Sequence, residues 1–249
     1  MNLVLAIILL LLMISIDKER GLKLFLSLIL NFIILIITFS LISLGFHSII
    51  CSLIGCILVS LVVLFFVNGV NIKTKSSFYS IVIVLLFLLI FIFLFTKDAR
   101  IAGFGYESFE EINMFSYDVH IDFMKIAIAM VLISLIGAMI DTSIAISSAL
   151  YEVYLNNKNL SKKDLFLSGM NIGKDILCTT TNTLLFVFLG DFMTLVIWYY
   201  TSKYSFFDII NSKTFAQEVI RILFSALGCV SIIPVTSILT IFFIQKENY

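Results

Sequence analysis

Proline, glycine and charged side chains are all scarce in this sequence of 249 residues. A single proline and 11 glycines exclude a collagen-like repeat, and a charged fraction of only 13 % excludes a disordered chain. Soluble domains are about 45–50 % apolar, whereas 61 % of this chain is hydrophobic. The formal net charge is +0 and no basic block occurs, so binding to nucleic acid has no electrostatic basis.

The motifs of soluble enzymes are also missing. The sequence has no G-x-S-x-G, no phosphate-binding loop, no H-E-x-x-H and no dinucleotide-binding fingerprint. We therefore expect no enzymatic activity and no cofactor, and the two histidines show no metal-ligand spacing. The cysteines all lie in apolar runs without a C-x-x-C pair, which predicts small buried side chains. They are Cys51, Cys56, Cys178 and Cys229.

Long apolar runs account for most of the chain, whose mean hydropathy is +1.15. A helix needs about 20 apolar residues to cross a hydrocarbon core of about 30 Å. The runs predict an all-α membrane bundle that forms a single transmembrane domain over residues 1–249. Its seven predicted spans are residues 1–16, 22–44, 48–67, 78–95, 123–153, 173–190 and 215–244. Residues 192–200 are too short for a crossing, and as a re-entrant or interfacial piece they would make an eighth element.

The positive charges predict the orientation of these spans. Ten of the 16 lysines and arginines lie in, or within three residues of, the connections after the first, third and fifth spans and the C-terminal tail, and five lie in or equally near the opposite connections. Cytoplasmic loops of membrane proteins are enriched in lysine and arginine. We therefore expect the N-terminus outside the cell and the C-terminus in the cytoplasm.

One face of the fifth predicted helix carries small and polar side chains. They fall within an arc of about 140°, since successive residues turn by 100°. They are Ser134, Gly137, Ala138, Asp141, Thr142, Ala145, Ser148, Ala149 and Glu152. Asp141 lies near the middle of the helix, where a carboxylate costs a few kcal/mol to insert. Asp141 is either a proton or cation relay, or a structural acid that joins two helices by a hydrogen bond.

The sixth predicted helix presents a matching polar face with Asp175, Thr179, Asn182 and Thr183. Because the two helices are expected to run antiparallel, Asn182 is expected at the depth of Asp141. We therefore predict a hydrogen bond from Asp141 to Asn182 or to a nearby threonine. We call the predicted set the polar seam, and it is interpreted as a site for protons or ions. Its members are Asp141, Thr142, Ser148, Glu152, Asp175, Thr179, Asn182 and Thr183.

The last predicted span carries a charge pair and the only proline. Glu218 and Arg221 are spaced i, i+3 and can pair with each other, or Arg221 can reach Asp191 on the preceding helix. Pro234 removes one backbone hydrogen bond and is expected to kink the helix or to act as a hinge. The hydroxyls of Thr236 and Ser237 are expected to satisfy the backbone groups that it frees.

These motifs resemble the YibE/F family of bacterial multi-pass membrane proteins. The matching pieces lie in residues 137–240. They are Gly137-x-x-x-Asp141, Ser147-Ser148 and Glu152, Ser168-Gly169-x-x-Ile172-Gly173-x-Asp175, Thr179 to Thr183, Gln217-Glu218-x-x-Arg221, Gly228 and Pro234-x-Thr236. Cys178 stands where the family pattern has glycine. The resemblance implies the bacterial cytoplasmic membrane and a related membrane partner, but no agreed activity.

A fainter similarity links Asp141 and Asn182-Thr183 to the membrane half of SecDF and RND proton-driven exporters. The second acid of that pattern is absent, since Ala149 occupies its place. We take as the leading hypothesis a transport or export component whose polar seam handles protons or ions. The alternative is a non-transporting assembly or scaffold subunit. Either would contact membrane lipids and a related membrane protein or a second copy of itself.

Overall fold

The computed structural model describes residues 2–98 and 122–247, and within those ranges the chain is helical without a strand. We number the helices in chain order. They are α1 (Asn2–Ile16), α2 (Lys18–Ser43), α3 (Ser48–Leu61, extended by a π-helical turn at Val62–Val67), α4 (Ile72–Asp98), α5 (Phe123–Asn156), α6 (Lys162–Thr201), α7 (Phe206–Ile210) and α8 (Lys213–Glu247).

Six helices in the described part of the chain are long and apolar enough to cross a membrane: α2, α3 with its π-helical turn, α4, α5, α6 and α8. The prediction of an all-α, multi-pass membrane protein is confirmed. The expected count of seven exceeds this number because α1 has only 15 residues. At 1.5 Å per residue α1 extends about 22 Å, which is less than the hydrocarbon core of about 30 Å.

Helix α6 is much longer than its predicted span. It runs for 40 residues, so that residues 192–200 continue the same helix and form no separate re-entrant element. Ser161 caps its start by accepting a hydrogen bond from the Asp164 amide, and no proline interrupts it. The helix ends at Thr201, just before Lys203 adopts a positive φ of 55°. The short helix α7 then follows.

The core lies where α4, α5 and α8 pack together, with α3 and α6 against their sides. The side chains of Leu85, Leu135 and Ile232 have essentially no exposure there. Helices α1 and α2 pack on each other, and α2 packs on α3. The bundle has two ends, which we call the Arg221 end, where α5 and α8 begin, and the Lys73 end, where α4 begins.

The start of α5 is set by an N-cap at the Arg221 end. The Asp122 side chain accepts hydrogen bonds from the amides of Met124 and Lys125 and pairs with the Lys125 ammonium at 3.0 Å. The hydrogen bond from the Lys125 side chain holds the pKa of Asp122 below its usual value. This cap fixes where the α5 face that carries Asp141 begins.

Candidate functional site

Asp141 lies in the middle of α5 with its side chain exposed on the surface of the chain. No hydrogen bond or ion pair joins it to any other described residue. Lys73 is engaged with Glu152 at 2.8 Å and Lys125 with Asp122 at 3.0 Å, so neither of these two ammonium groups is available to pair with Asp141. The carboxyl is thus without an ionic or hydrogen-bonding partner within the described chain.

The predicted hydrogen bond between Asp141 and Asn182 is wrong. Both side chains are exposed, and no bond joins them. The threonines turn back to their own helix instead: Thr179 donates to the Ile176 carbonyl at 2.9 Å, and Thr183 donates to the Thr179 carbonyl at 3.0 Å. Asp175 is also exposed. The polar face of α6 therefore does not close over Asp141.

Helix α6 does not close over Asp141 because it packs closely on the bundle only near its ends. Its buried residues are Leu165, Gly169, Gly173 and Tyr199, which leaves residues 174–198 without a buried side chain. Near the Lys73 end, a Cβ at Gly169 would lie 3.0 Å from the Ser237 Cβ, and a Cβ at Gly173 would overlap the Ile233 side chain. Helix α6 is thus packed tightly near one end and only loosely in the middle.

The two glycines form a G-x-x-x-G motif, which in membrane helices permits close backbone approach. This spacing is visible in the sequence, and it is the signal from which the close packing of α6 on α8 could have been predicted. Cys178, which was expected to be buried, is exposed because it lies just beyond the packed segment. By contrast, Cys56 and Cys229 are buried, as predicted, and Cys51 is half-buried.

The other predicted seam residues of α5 face different surroundings. The Glu152 carboxylate binds Lys73 of α4 at 2.8 Å, and the Lys73 ammonium lies 5.0 Å from the centre of the Tyr151 ring. Ser148 is half-buried, whereas Thr142 is fully buried. Thr142 lies near the Cys229 thiol of α8. The eight residues therefore do not form one continuous site.

Buried hydroxyls that the sequence analysis missed join α4 to α5 and α8. Ser77 and Ser147 share a hydrogen bond of 2.8 Å, and the Thr240 hydroxyl donates to the Ser76 hydroxyl at 3.1 Å. All four side chains have no exposure. Such bonds hold membrane helices together. The sequence signal was weak, because a serine in a membrane helix often bonds only to its own backbone.

Pro234 lies inside α8, which continues on both sides of it. The Ser237 hydroxyl donates to the Ile233 carbonyl at 2.8 Å, and the buried Thr236 hydroxyl has no partner. The carbonyl that loses its usual donor to a proline lies four residues before it, at Val230. The expectation that Thr236 and Ser237 satisfy the freed group is therefore wrong, because neither hydroxyl reaches it.

At the Arg221 end, both predicted ion pairs are present. The Arg221 guanidinium contacts the Glu218 carboxylate on its own helix and the Asp191 carboxylate of α6, the latter at 2.9 Å. A cavity of about 160 Å³ lies between α5, α6 and α8 beside this cluster. It is lined by Ser134, Leu184, Val187, Phe188, Asp191, Arg221, Ile222 and Ser225.

A comparison with protein families matches residues 5–246 to the family described as YibE/F-like protein. The chain belongs to the YibE/F-like family. The match begins far before residue 137, so the first half of the chain carries family features that looked like plain apolar spans. No curated protein and no solved structure matches the chain.

In this YibE/F-like chain the groups able to do chemistry are few. Among the described residues, no cluster of three or more His, Cys, Asp or Glu side chains is arranged to hold a metal ion. The α5 surface carries one carboxyl at mid-helix, that of Asp141, and there is open space beside Gly137 on the same face. A carboxyl in that position can bind and release a proton or contact a cation.

Proposed function

We propose that this YibE/F-like protein is a component of a membrane transport or export system, and that Asp141 takes up and releases protons within the membrane. The observation that supports the proposal is the lack of any partner for Asp141 among the described residues. An acid that served only to join α5 to α6 would be expected to bond to α6. Asp141 instead stands exposed beside a loosely packed segment.

The charge of the Asp141 carboxyl depends on whether water or a cation lies beside it. Loss of water disfavours the ionised form of any carboxyl, so an intramembrane aspartate keeps its proton until water or a cation reaches it. A carboxyl with a fixed cationic partner would stay ionised, but none pairs with Asp141 in the described segments. An acid that alternates between dry and wet surroundings can therefore carry a proton across part of the membrane.

The test is proton flux in the reconstituted protein with Asp141→Asn. Asparagine keeps the shape and the hydrogen-bonding capacity of aspartate but cannot titrate. In vesicles with an internal pH-sensitive dye and an imposed pH gradient, we expect the variant to insert and fold normally and to lose the flux. Asp175→Asn, which changes another exposed acid on α6, is the matched control and is expected to retain it. Full flux with Asp141→Asn would contradict the proposal.

A second candidate function is an assembly or scaffold subunit that binds another membrane protein. The observation in its favour is the exposed polar face of α6, with Asp175, Thr179 and Asn182 on a helix long enough to span the membrane. Polar side chains on membrane helices often bond to neighbouring helices. Under this function Asp141→Asn is nearly silent, whereas Asp141→Leu reduces co-purification of a related membrane protein or a second copy.

Both functions belong in the cytoplasmic membrane of a bacterium, and neither requires a cofactor, an enzymatic reaction or a nucleic acid. We propose the orientation that the lysines and arginines indicate, with the Lys73 end in the cytoplasm and the Arg221 end outside. In that arrangement the cavity beside Arg221 lies in the outer half of the membrane.

A further inference from the structure

The cavity at the Arg221 end, which we call the chamber, is large enough to hold water and is lined by four polar and four apolar side chains. Its volume is about 160 Å³, which is enough for several water molecules. Its polar lining consists of Asp191, Arg221 and the hydroxyls of Ser134 on α5 and Ser225 on α8. Each hydroxyl donates to a carbonyl of its own helix, and its oxygen can still accept a hydrogen bond from water. Water needs such polar partners to occupy a cavity stably.

The chamber is bordered by an ion pair that joins two helices. Asp191 belongs to α6 and Arg221 to α8, and their 2.9 Å contact bridges the loosely packed part of α6. The Asp191 side chain is 56 % exposed and the Arg221 side chain 29 %, and partly exposed pairs of this kind break easily. Further along α6, Tyr199 is bonded to the Ser212 hydroxyl at 2.6 Å, which keeps that end of α6 attached.

One face of α5 joins the chamber to Asp141. Ser134, Gly137 and Asp141 follow one another on one face of α5, at positions i, i+3 and i+7. A Cβ at Gly137 would meet no atom within 4 Å, so the space beside it is empty of protein. The distance along the axis from Ser134 to Asp141 is about 10 Å at 1.5 Å per residue.

We propose that this chamber is the water-filled entrance through which protons reach Asp141, and that the Asp191–Arg221 ion pair is its gate. The inference rests on the proposed proton uptake by Asp141 and adds the route and the side from which it occurs. A hydronium ion in the chamber gives up a proton, which passes along water molecules beside Gly137 to the Asp141 carboxylate; the hydronium becomes water and the carboxylate becomes the neutral acid. When the ion pair separates, α6 moves from α8 and the chamber widens toward the surface.

Cysteine labelling tests the entrance without any transport measurement. In a chain whose four native cysteines are replaced by alanine, Ser134→Cys is treated with a membrane-impermeant methanethiosulfonate, applied to sealed vesicles from one side at a time. We expect labelling from the Arg221 side. Leu185→Cys, on the exposed apolar surface of α6 and outside the lining of the chamber, is the control. It is expected to react much more slowly, because the reagent reacts with the thiolate and a thiol in apolar surroundings stays protonated.

The gate is tested by adding Asp191→Asn to the Ser134→Cys chain. We expect the labelling rate to rise about two- to fivefold, the ratio that corresponds to the usual strength of a partly exposed ion pair. Asp208→Asn, which removes another exposed acid in the same part of the chain but away from the chamber, is the matched control and is expected to leave the rate unchanged.

Two results would overturn the inference. If Ser134→Cys reacts no faster than Leu185→Cys, the chamber is dry and is not an entrance. If Asp191→Asn leaves the rate as it was, the ion pair is not a gate. Proton flux with Asp141→Asn is measured separately. If Ser134→Cys is labelled as expected but Asp141→Asn retains full flux, the chamber holds water and Asp141 does not relay protons.

Discussion

Replacement of Gly173 by leucine is expected to lower the free energy of unfolding by about 3 kcal/mol, near the upper end of the usual range for overpacked cores. A Cβ at this position would already overlap the Ile233 side chain of α8. Isoleucine is β-branched and stiff at χ1, so it cannot turn away easily. The segment of α6 around Gly173 must therefore separate from α8. Unfolding in mixed detergent micelles, followed by circular dichroism, measures the change.

The matched control is the same substitution at Gly137. Leucine there meets no atom within 4 Å of its Cβ, and its helix propensity exceeds that of glycine by up to about 0.8 kcal/mol. We expect Gly137→Leu to be as stable as the natural chain or slightly more stable. Equal destabilisation by both substitutions would mean that α6 is not attached to α8 through its glycines.

The second large effect concerns the function of the Gly137 variant. Leucine at this position fills the space between Ser134 and Asp141, so we expect proton flux to fall to the background level although the protein remains folded. Gly137→Ala is the control, because a single methyl group leaves most of the space open and should preserve much of the flux. Flux is measured in vesicles with the same dye and pH gradient as for Asp141→Asn.

Undiminished flux through Gly137→Leu would contradict the route along α5. It would leave the role of Asp141 to be decided by its own variant, since a proton could then reach the carboxyl from the exposed side of α6. Loss of flux in both the leucine and the alanine variants would indicate that a small change in the α5 face is already disruptive.

The sequence was sufficient to predict the class of the protein and one ion pair within a single helix. A long apolar run forms a membrane-spanning helix independently of the segments around it. The thickness of the hydrocarbon core sets its length, and its backbone groups must bond within the segment. The Glu218–Arg221 pair was predictable because the spacing i, i+3 places both side chains on the same helix face. Asp141 was recognised as the central acid for the same reason: its depth depends only on its place in the run.

The contacts between helices were harder to predict. The hydrogen bond expected between Asp141 and Asn182 failed because equal depth does not fix the distance between two helices. That distance depends on Gly169 and Gly173, which bring one part of α6 close to α8 and leave the next part free. Likewise, the pairing of Glu152 with Lys73 depends on how α4 lies beside α5. A helical wheel of α5 alone does not show the position of α4.

The most direct test of the account is the protonation state of Asp141 itself. Infrared difference spectra, recorded on reconstituted protein as the external pH is changed, detect the C=O stretching band of a protonated carboxyl. We predict a band that appears and disappears with pH in the natural chain, remains in Asp175→Asn and is absent from Asp141→Asn. A spectrum that is identical in the natural chain and in Asp141→Asn at every pH would show that Asp141 does not exchange a proton, and would contradict the account.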